Sequence, residues 1–287
     1  MNRSKTVAFL WLFSALLFYS LFQMALRNSD SSHNYTSASD SMVSNKEQRS
    51  ALYDRMARDL DQHGPLFLKH GRTSQSLSLS DIFTIKDGSV APILKAANPP
   101  VRANVLHLST QYSVLITEAL KPILDPYFDK VFEPFFWGQI EAEAAAVRAV
   151  TQELCPLKIV LDRVVLTSTG VLLGCWQVIS GSDPITIRAK LRTALPRAPE
   201  KQLYDAAILH TSFARLLGHP KASSTMLSNT GDQVHFFHGL VDRLNNELRG
   251  FEAVVSELWY VEEFDVLALA LNGRMKMRRF QLGCSRN

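Results

Sequence analysis

Two short stretches carry the residues best suited to chemistry. VLHLSTQY (residues 105–112) and LHTSFARLLG (residues 209–218) each place a histidine two positions before a serine, after an apolar run. On an extended strand, residues i and i+2 point to the same face. His107 and Ser109 are therefore expected to share a side, and so are His210 and Ser212. Imidazole titrates near neutral pH, so one ring can take a proton from water while another gives a proton to a leaving oxygen. The hydroxyls can donate hydrogen bonds to phosphate oxygens and steady the charge of the transition state. Two such strands facing each other across a cleft suit the opening of a cyclic phosphate or phosphodiester. His107 and His210 are the expected acid–base pair, and Ser109 and Ser212 the expected phosphate donors. No metal and no cofactor is expected.

His-x-Ser/Thr is a common triplet, and eight histidines are present. The count carries little weight; the matching setting carries more. Both copies follow apolar strand residues, and their separation suits two halves of a duplicated fold.

The elements that must position these strands are legible in part. Residues 46–64, with Leu52, Met56 and Leu60 at four-residue steps and Gly64 behind them, predict a helix. So do residues 139–154, with Ile140, Ala144, Val147 and Leu154 on one face and Pro156 beyond. A third helix is predicted over 233–250, with Val234, Phe237, Val241, Leu244 and Leu248 closed by Gly250. Residues 157–178 predict two strands about a turn at 168–170. Asn272-Gly273 lies between two alternating runs and predicts a tight hairpin. Strands and helices intermix without regular βαβ spacing, so an α+β class with antiparallel sheets is expected.

The N-terminus adds a location. Residues 6–26 are 21 residues without a charge, long enough as a helix to span a hydrocarbon core of about 30 Å. Arg3 and Lys5 precede them, which puts that end in the cytosol, with Arg27 on the far side weighing against; a cleaved signal peptide is the rival reading, but its apolar core is usually only about 7–15 residues. The expected organisation is a cytosolic tip and single-pass signal anchor (1–26), a Ser/Asn-rich flexible stem (27–45) and a folded domain (46–287) on the lumenal side of the secretory pathway. NYT at residues 34–36 is an N-glycosylation acceptor consistent with that side. Net charge is +4, which suits an anionic ligand without pointing to nucleic acid in particular. With three cysteines, a disulfide scaffold is excluded, but a single bridge is not.

HLST at residues 107–110 and HTSF at residues 210–213 resemble the paired His-x-Thr/Ser-x motifs of the two-histidine (2H) phosphoesterases, which include RNA ligase-like and cyclic nucleotide phosphodiesterase proteins. HTSFARLL is the closer match, because family members often continue with a small residue and an arginine, here Ala214 and Arg215. LALALNGRMKMRRFQLG near the C-terminus is similar to the strand that follows in the family's second half. The resemblance covers residues 104–282. It implies two lobes related by a pseudo-twofold axis, each an antiparallel sheet backed by helices, around a central cleft. It also implies a metal-independent hydrolase of a 2′,3′-cyclic phosphate on a nucleotide or RNA end, acting as a monomer. Ser109 and Ser212 stand where the family more often has threonine; the hydroxyl is kept and the methyl that fixes its rotamer is lost.

Other residues are weighed against blander roles. Arg215 contacts phosphate only if its strand bulges, since on a regular strand it points away from His210. Tyr112, Phe213, Trp137 and Trp176 are expected in the core rather than as base-stacking partners. Arg274, Lys276 and Arg278 form one face of a strand that attracts an anion or simply faces solvent. His235 and His238 lie at helical spacing without a cysteine or carboxylate partner, and the triplet at 59–61 reads as helix-surface charge. Two rival functions remain open. One is a non-catalytic phospholigand or RNA-binding module of the same fold; the other is a lumenal type II glycosyltransferase, which lacks a nucleotide-sugar signature here.

Overall fold

Alternating and all-apolar strand patterns resolve into antiparallel sheets. The computed structural model describes residues 38–70, 79–86, 89–128, 142–195, 205–216, 219–220 and 229–284. Strands β1 (Phe83–Lys86) and β2 (Ser89–Leu94) form a small hairpin. A second sheet holds β3 (Ala96–His107), β8 (Glu257–Asp265) and β9 (Met275–Gln281) in the order β3-β8-β9. A third holds β4 (Leu157–Leu166), β5 (Val171–Ser180), β6 (His210–Arg215) and β7 (Glu252–Val255) in the order β6-β5-β4-β7. Every pairing is antiparallel, and the class is α+β. Among the described strands, both histidine strands, β3 and β6, are sheet edges. Only Ser256 separates β7 from β8, so one run of chain, 252–265, serves both larger sheets.

Contacts divide the chain into Met1–Val43 and Ser44–Asn287. The second unit holds every strand among the described residues. Strand β5 is buried along Val171–Val178 without alternation, as expected of a strand covered on both faces. One face meets α1 (Ala38–Ala57): Tyr53 packs with Val165, Val171, Leu173, Cys175 and Ile208. Its buried Arg49 pairs with Asp183 at 2.9 Å and donates to Gln177 at 3.0 Å. Asp183 in turn caps α7 (Pro184–Ala194) by accepting from the Ile185 amide, ahead of a proline whose missing N–H costs nothing there. Helix α8 (Thr230–Leu248) packs on β4 through the stripe Phe237, Leu240, Leu244 and Leu248. Its Asn245 closes two hydrogen bonds with the Val164 backbone, at 2.7 and 3.2 Å. Helix α5 (Thr110–Leu124) leaves β3 directly and lies on α8, while α6 (Ala142–Thr151) packs on β8 and β9.

Three expectations need correction or limiting. Helix α1 starts at Ala38, inside the segment expected to be stem. Its C-terminal part gives way at Arg58 to a short α2 (Asp59–His63), followed by two more short helices, α3 (Leu66–His70) and α4 (Leu79–Ile82). A Ser/Asn-rich composition argues against burying a core, but it does not stop a helix anchored by Arg49 and Tyr53 from continuing backwards. Asn272-Gly273 does not form a two-residue hairpin. Strands β8 and β9 are joined through a short helix, α9 (Ala268–Leu271), and Asn272 ends that helix at φ 56°. The run that reads as alternation also places Ala268 and Leu271 three apart, and both are buried. Asp265 then ties the loop shut by accepting from the Arg274 amide at 2.7 Å. The expected anchor, 6–26, lies outside the described residues, among which no helix is long and apolar enough to cross a membrane.

Candidate functional site

His107 ends β3 directly opposite Glu257 on β8. Its ring stacks on Trp259, with centroids 3.5 Å apart and planes at 16°. Its Nδ1 is 3.5 Å from Glu257 Oε2. That carboxylate is held in turn: Trp259 Nε1 donates to Oε2 at 2.9 Å and Gln281 Nε2 to Oε1 at 2.6 Å. From β9, the Arg279 guanidinium lies over the Trp259 ring at 5.0 Å. Because β8 is the middle strand, His107 and Arg279 reach this tryptophan from opposite neighbours. Burial lowers the His107 pKa below its usual value; Glu257 opposes that shift and Arg279 adds to it.

His210 opens β6 opposite Cys175 on β5. The residue before it is clamped by α1. Tyr53 Oη lies 2.7 Å from the Trp176 carbonyl and 2.8 Å from the Leu209 carbonyl, and accepts from the Leu209 amide at 3.2 Å. Burial pushes the His210 pKa down to about 4, and the positive charge of Arg188 adds to the shift. Arg188 comes from α7 and donates to the Ala206 carbonyl at 2.6 Å. His210 is therefore neutral at pH 7.

The two His-x-Ser units differ in local geometry. Ser212 stays on β6 and is exposed. Ser109 has left β3 and takes the N-cap position of α5 at ψ 155°, but its side chain makes no capping bond. Its Oγ is buried and has no hydrogen-bond partner among the described residues. The apolar run before His210 is not part of the strand, because β6 begins only at His210.

Strand β6 does bulge. Ser212 pairs with Leu173, Ala214 with Leu172 and Arg215 with Val171, which leaves Phe213 as the extra residue. Val171 and Leu173 share a face, so the bulge brings Arg215 round to the side of Ser212 and His210. Gly174 makes room for it: a Cβ there would stand 2.2 Å from Phe213 Cζ.

The remaining candidates take structural places. Trp176 is buried and donates from Nε1 to Thr211 Oγ1 at 3.0 Å. Tyr112 meets Phe251 edge-on. Trp137 lies outside the described residues. Arg274 pairs with Asp265 at 2.7 Å and Lys276 lies over the Phe264 ring. His238 bonds Asp61, and Asp59 accepts from the Ser168 amide at 2.6 Å, so the 59–61 triplet fastens α2 to α8 and to the β4–β5 turn instead of merely facing water. No group able to hold a metal ion occurs among the described residues. Cys155 and Cys284 are joined as a disulfide, and Cys175 is a buried free thiol. Comparison of the sequence with family models and with curated proteins finds no match.

Glu257, Trp259, Arg279, Arg188 and Tyr53 escaped the sequence reading. Each acts through pairing or packing between distant segments, and none belongs to a local motif.

Proposed function

We propose that this protein is a membrane-anchored, metal-independent phosphoesterase of the two-histidine type, with a two-lobed fold and its catalytic part in the lumen. The substrate is a 2′,3′-cyclic phosphate, or a related phosphodiester, of a nucleotide or RNA end. The observation that carries this reading is the repeated placement of the motif. Each histidine stands at one end of a strand that is an edge among the described residues, and each strand is followed in chain order by a helix, α5 or α8. One histidine takes a proton from water as the water oxygen bonds to phosphorus. The other gives a proton to the ribose oxygen as its bond to phosphorus breaks. Ser109, Ser212 and Arg215 hold the phosphate oxygens. The disulfide supports an oxidising compartment.

The test is turnover of 2′,3′-cyclic nucleotides by the full chain in detergent with a chelator present. His107→Ala and His210→Ala should each lower the rate by about 10²–10⁴-fold; unchanged turnover in either variant rejects the assignment. The downward pKa shift of His210 favours one second reading, a module that binds a phosphorylated ligand without processing it. Saturable binding of a 2′-phosphorylated nucleotide, with no product from any cyclic or linear phosphodiester, would select that reading.

A further inference from the structure

A histidine ring has two nitrogens, and the partner of one decides what the other does. At His107 the partner of Nδ1 is Glu257 Oε2 at 3.5 Å. This carboxylate is not free to swing, because Trp259 Nε1 and Gln281 Nε2 each donate to one of its oxygens. The His107 ring is not free to tilt either, since it lies flat on Trp259. The charged groups facing His107 are Glu257 from β8 and Arg279 from β9. At His210 the charged neighbour is Arg188 from α7, and the paired residue is the thiol Cys175.

We propose that Glu257 is a positioning residue that gives the two histidines unequal jobs. Its charge, 3.5 Å from Nδ1, favours a proton on that nitrogen, leaves Nε2 as the working nitrogen, and makes His107 the proton donor while His210 serves as the base. This rests on the phosphoesterase reading above. A carboxylate beside an imidazole favours the protonated ring, and a guanidinium beside one disfavours it. In the reaction, neutral His210 takes the proton of the attacking water as the new P–O bond forms. His107 Nε2–H gives its proton to the ribose oxygen whose bond to phosphorus breaks. The product is a phosphomonoester, one water is consumed, and solvent returns both rings to their starting states.

The test uses the full chain in detergent with nitrogen-labelled histidine, the His107 signals being assigned by their loss in His107→Gln. In the unaltered protein the neutral His107 ring should carry its proton on Nδ1. In Glu257→Gln it should move toward the Nε2–H tautomer and titrate at lower pH, while His210 stays unchanged. With 2′,3′-cyclic nucleotide, Glu257→Gln should lower kcat by about 10–100-fold with little change in KM. The alkaline limb of the rate profile should shift to lower pH, and Glu257→Asp should restore part of the loss. A His107 tautomer and midpoint unaltered by Glu257→Gln overturn the proposal. If the unaltered protein turns over no phosphodiester, the phosphoesterase reading fails by itself, and the ring titration still judges Glu257.

Discussion

The neighbourhoods of His107 and His210 carry the same triplet and treat it in opposite ways. His107 is 22% exposed, lies on an indole and has a carboxylate within ion-pair distance. His210 is half-buried as well, and its charged neighbour among the described residues is the Arg188 guanidinium of α7. Burial lowers both pKa values, and at His107 Glu257 pulls the other way. Identical motifs thus yield one ring that can be persuaded to hold a proton and one that resists it. In an acid–base pair such inequality fixes which ring gives the proton and which takes it.

The comparison breaks most sharply at Gly174. Its missing side chain lets Phe213 bulge, and the bulge is what turns Arg215 toward the His210 side. Gly174→Ala forces the Phe213 ring away from a contact of 2.2 Å. Overpacking of this kind costs about 1–3 kcal/mol, read as a lower denaturant midpoint. The rate with cyclic nucleotide should fall about 10²-fold, like the loss of one charge-stabilising donor, and match Arg215→Ala. The His107 titration should stay where it is. Full activity in both Gly174→Ala and Arg215→Ala would show that Arg215 has no part at the site.

Acid should separate the two rings next. The folded His210 midpoint of about 4 lies below its ordinary 6.5, so the unfolded chain binds more protons across that interval. The stability contributed by neutral His210 is fully present above pH 6.5 and is lost as pH falls toward 4. Between pH 7 and pH 5 the protein should lose about 2 kcal/mol from this residue. Chemical denaturation at the two pH values measures it. His210→Gln should flatten the dependence, and His107→Gln should change it less. Equal effects of the two substitutions would erase the contrast.

How much of this was legible beforehand depends on the range of each interaction. Residues 233–250 show their apolar stripe in the sequence, because a helix writes its packing face at local spacing; α8 follows it from Thr230 to Leu248. The β4–β5 hairpin is likewise local. The start of α1 was not legible, because polar composition does not report how far a packed helix extends. The Asn272-Gly273 turn misled, because such a pair ends a helix as readily as it turns a hairpin. His107 and His210 could be picked out by type. Their surroundings could not, because Glu257 meets His107 only through the β3–β8 register, and the Arg215 orientation depends on a glycine in another strand.

A more local effect should come from Tyr53, the link between α1 and the His210 strand. Tyr53→Phe removes the hydroxyl that serves the Leu209 backbone and faces the Trp176 carbonyl. Leaving buried backbone groups short of a partner costs about 1–3 kcal/mol. The same change should disturb the His210 titration and leave that of His107 alone. Amide exchange at Leu209 reads the local loosening. Protection equal to that of the unaltered protein would mean that α1 does not support the histidine strand.

The smallest effect on folding is expected at Ser109, and it separates a hydroxyl kept for the fold from one kept for a ligand. An N-cap serine normally supports its helix, and its loss costs about 1 kcal/mol. Ser109 gives α5 no such bond, and its buried Oγ has no partner among the described residues. A buried polar atom without a partner is a cost to the folded state. Ser109→Ala should therefore leave the denaturant midpoint unchanged or raise it slightly, within about 0.5 kcal/mol. If the hydroxyl serves a phosphate, the same substitution should weaken binding of a 2′-phosphorylated nucleotide by about 10-fold, because a hydrogen bond absent from the free protein would be missing from the complex. Unchanged binding would remove Ser109 from the site. A clear loss of stability would instead show that the hydroxyl belongs to the helix cap.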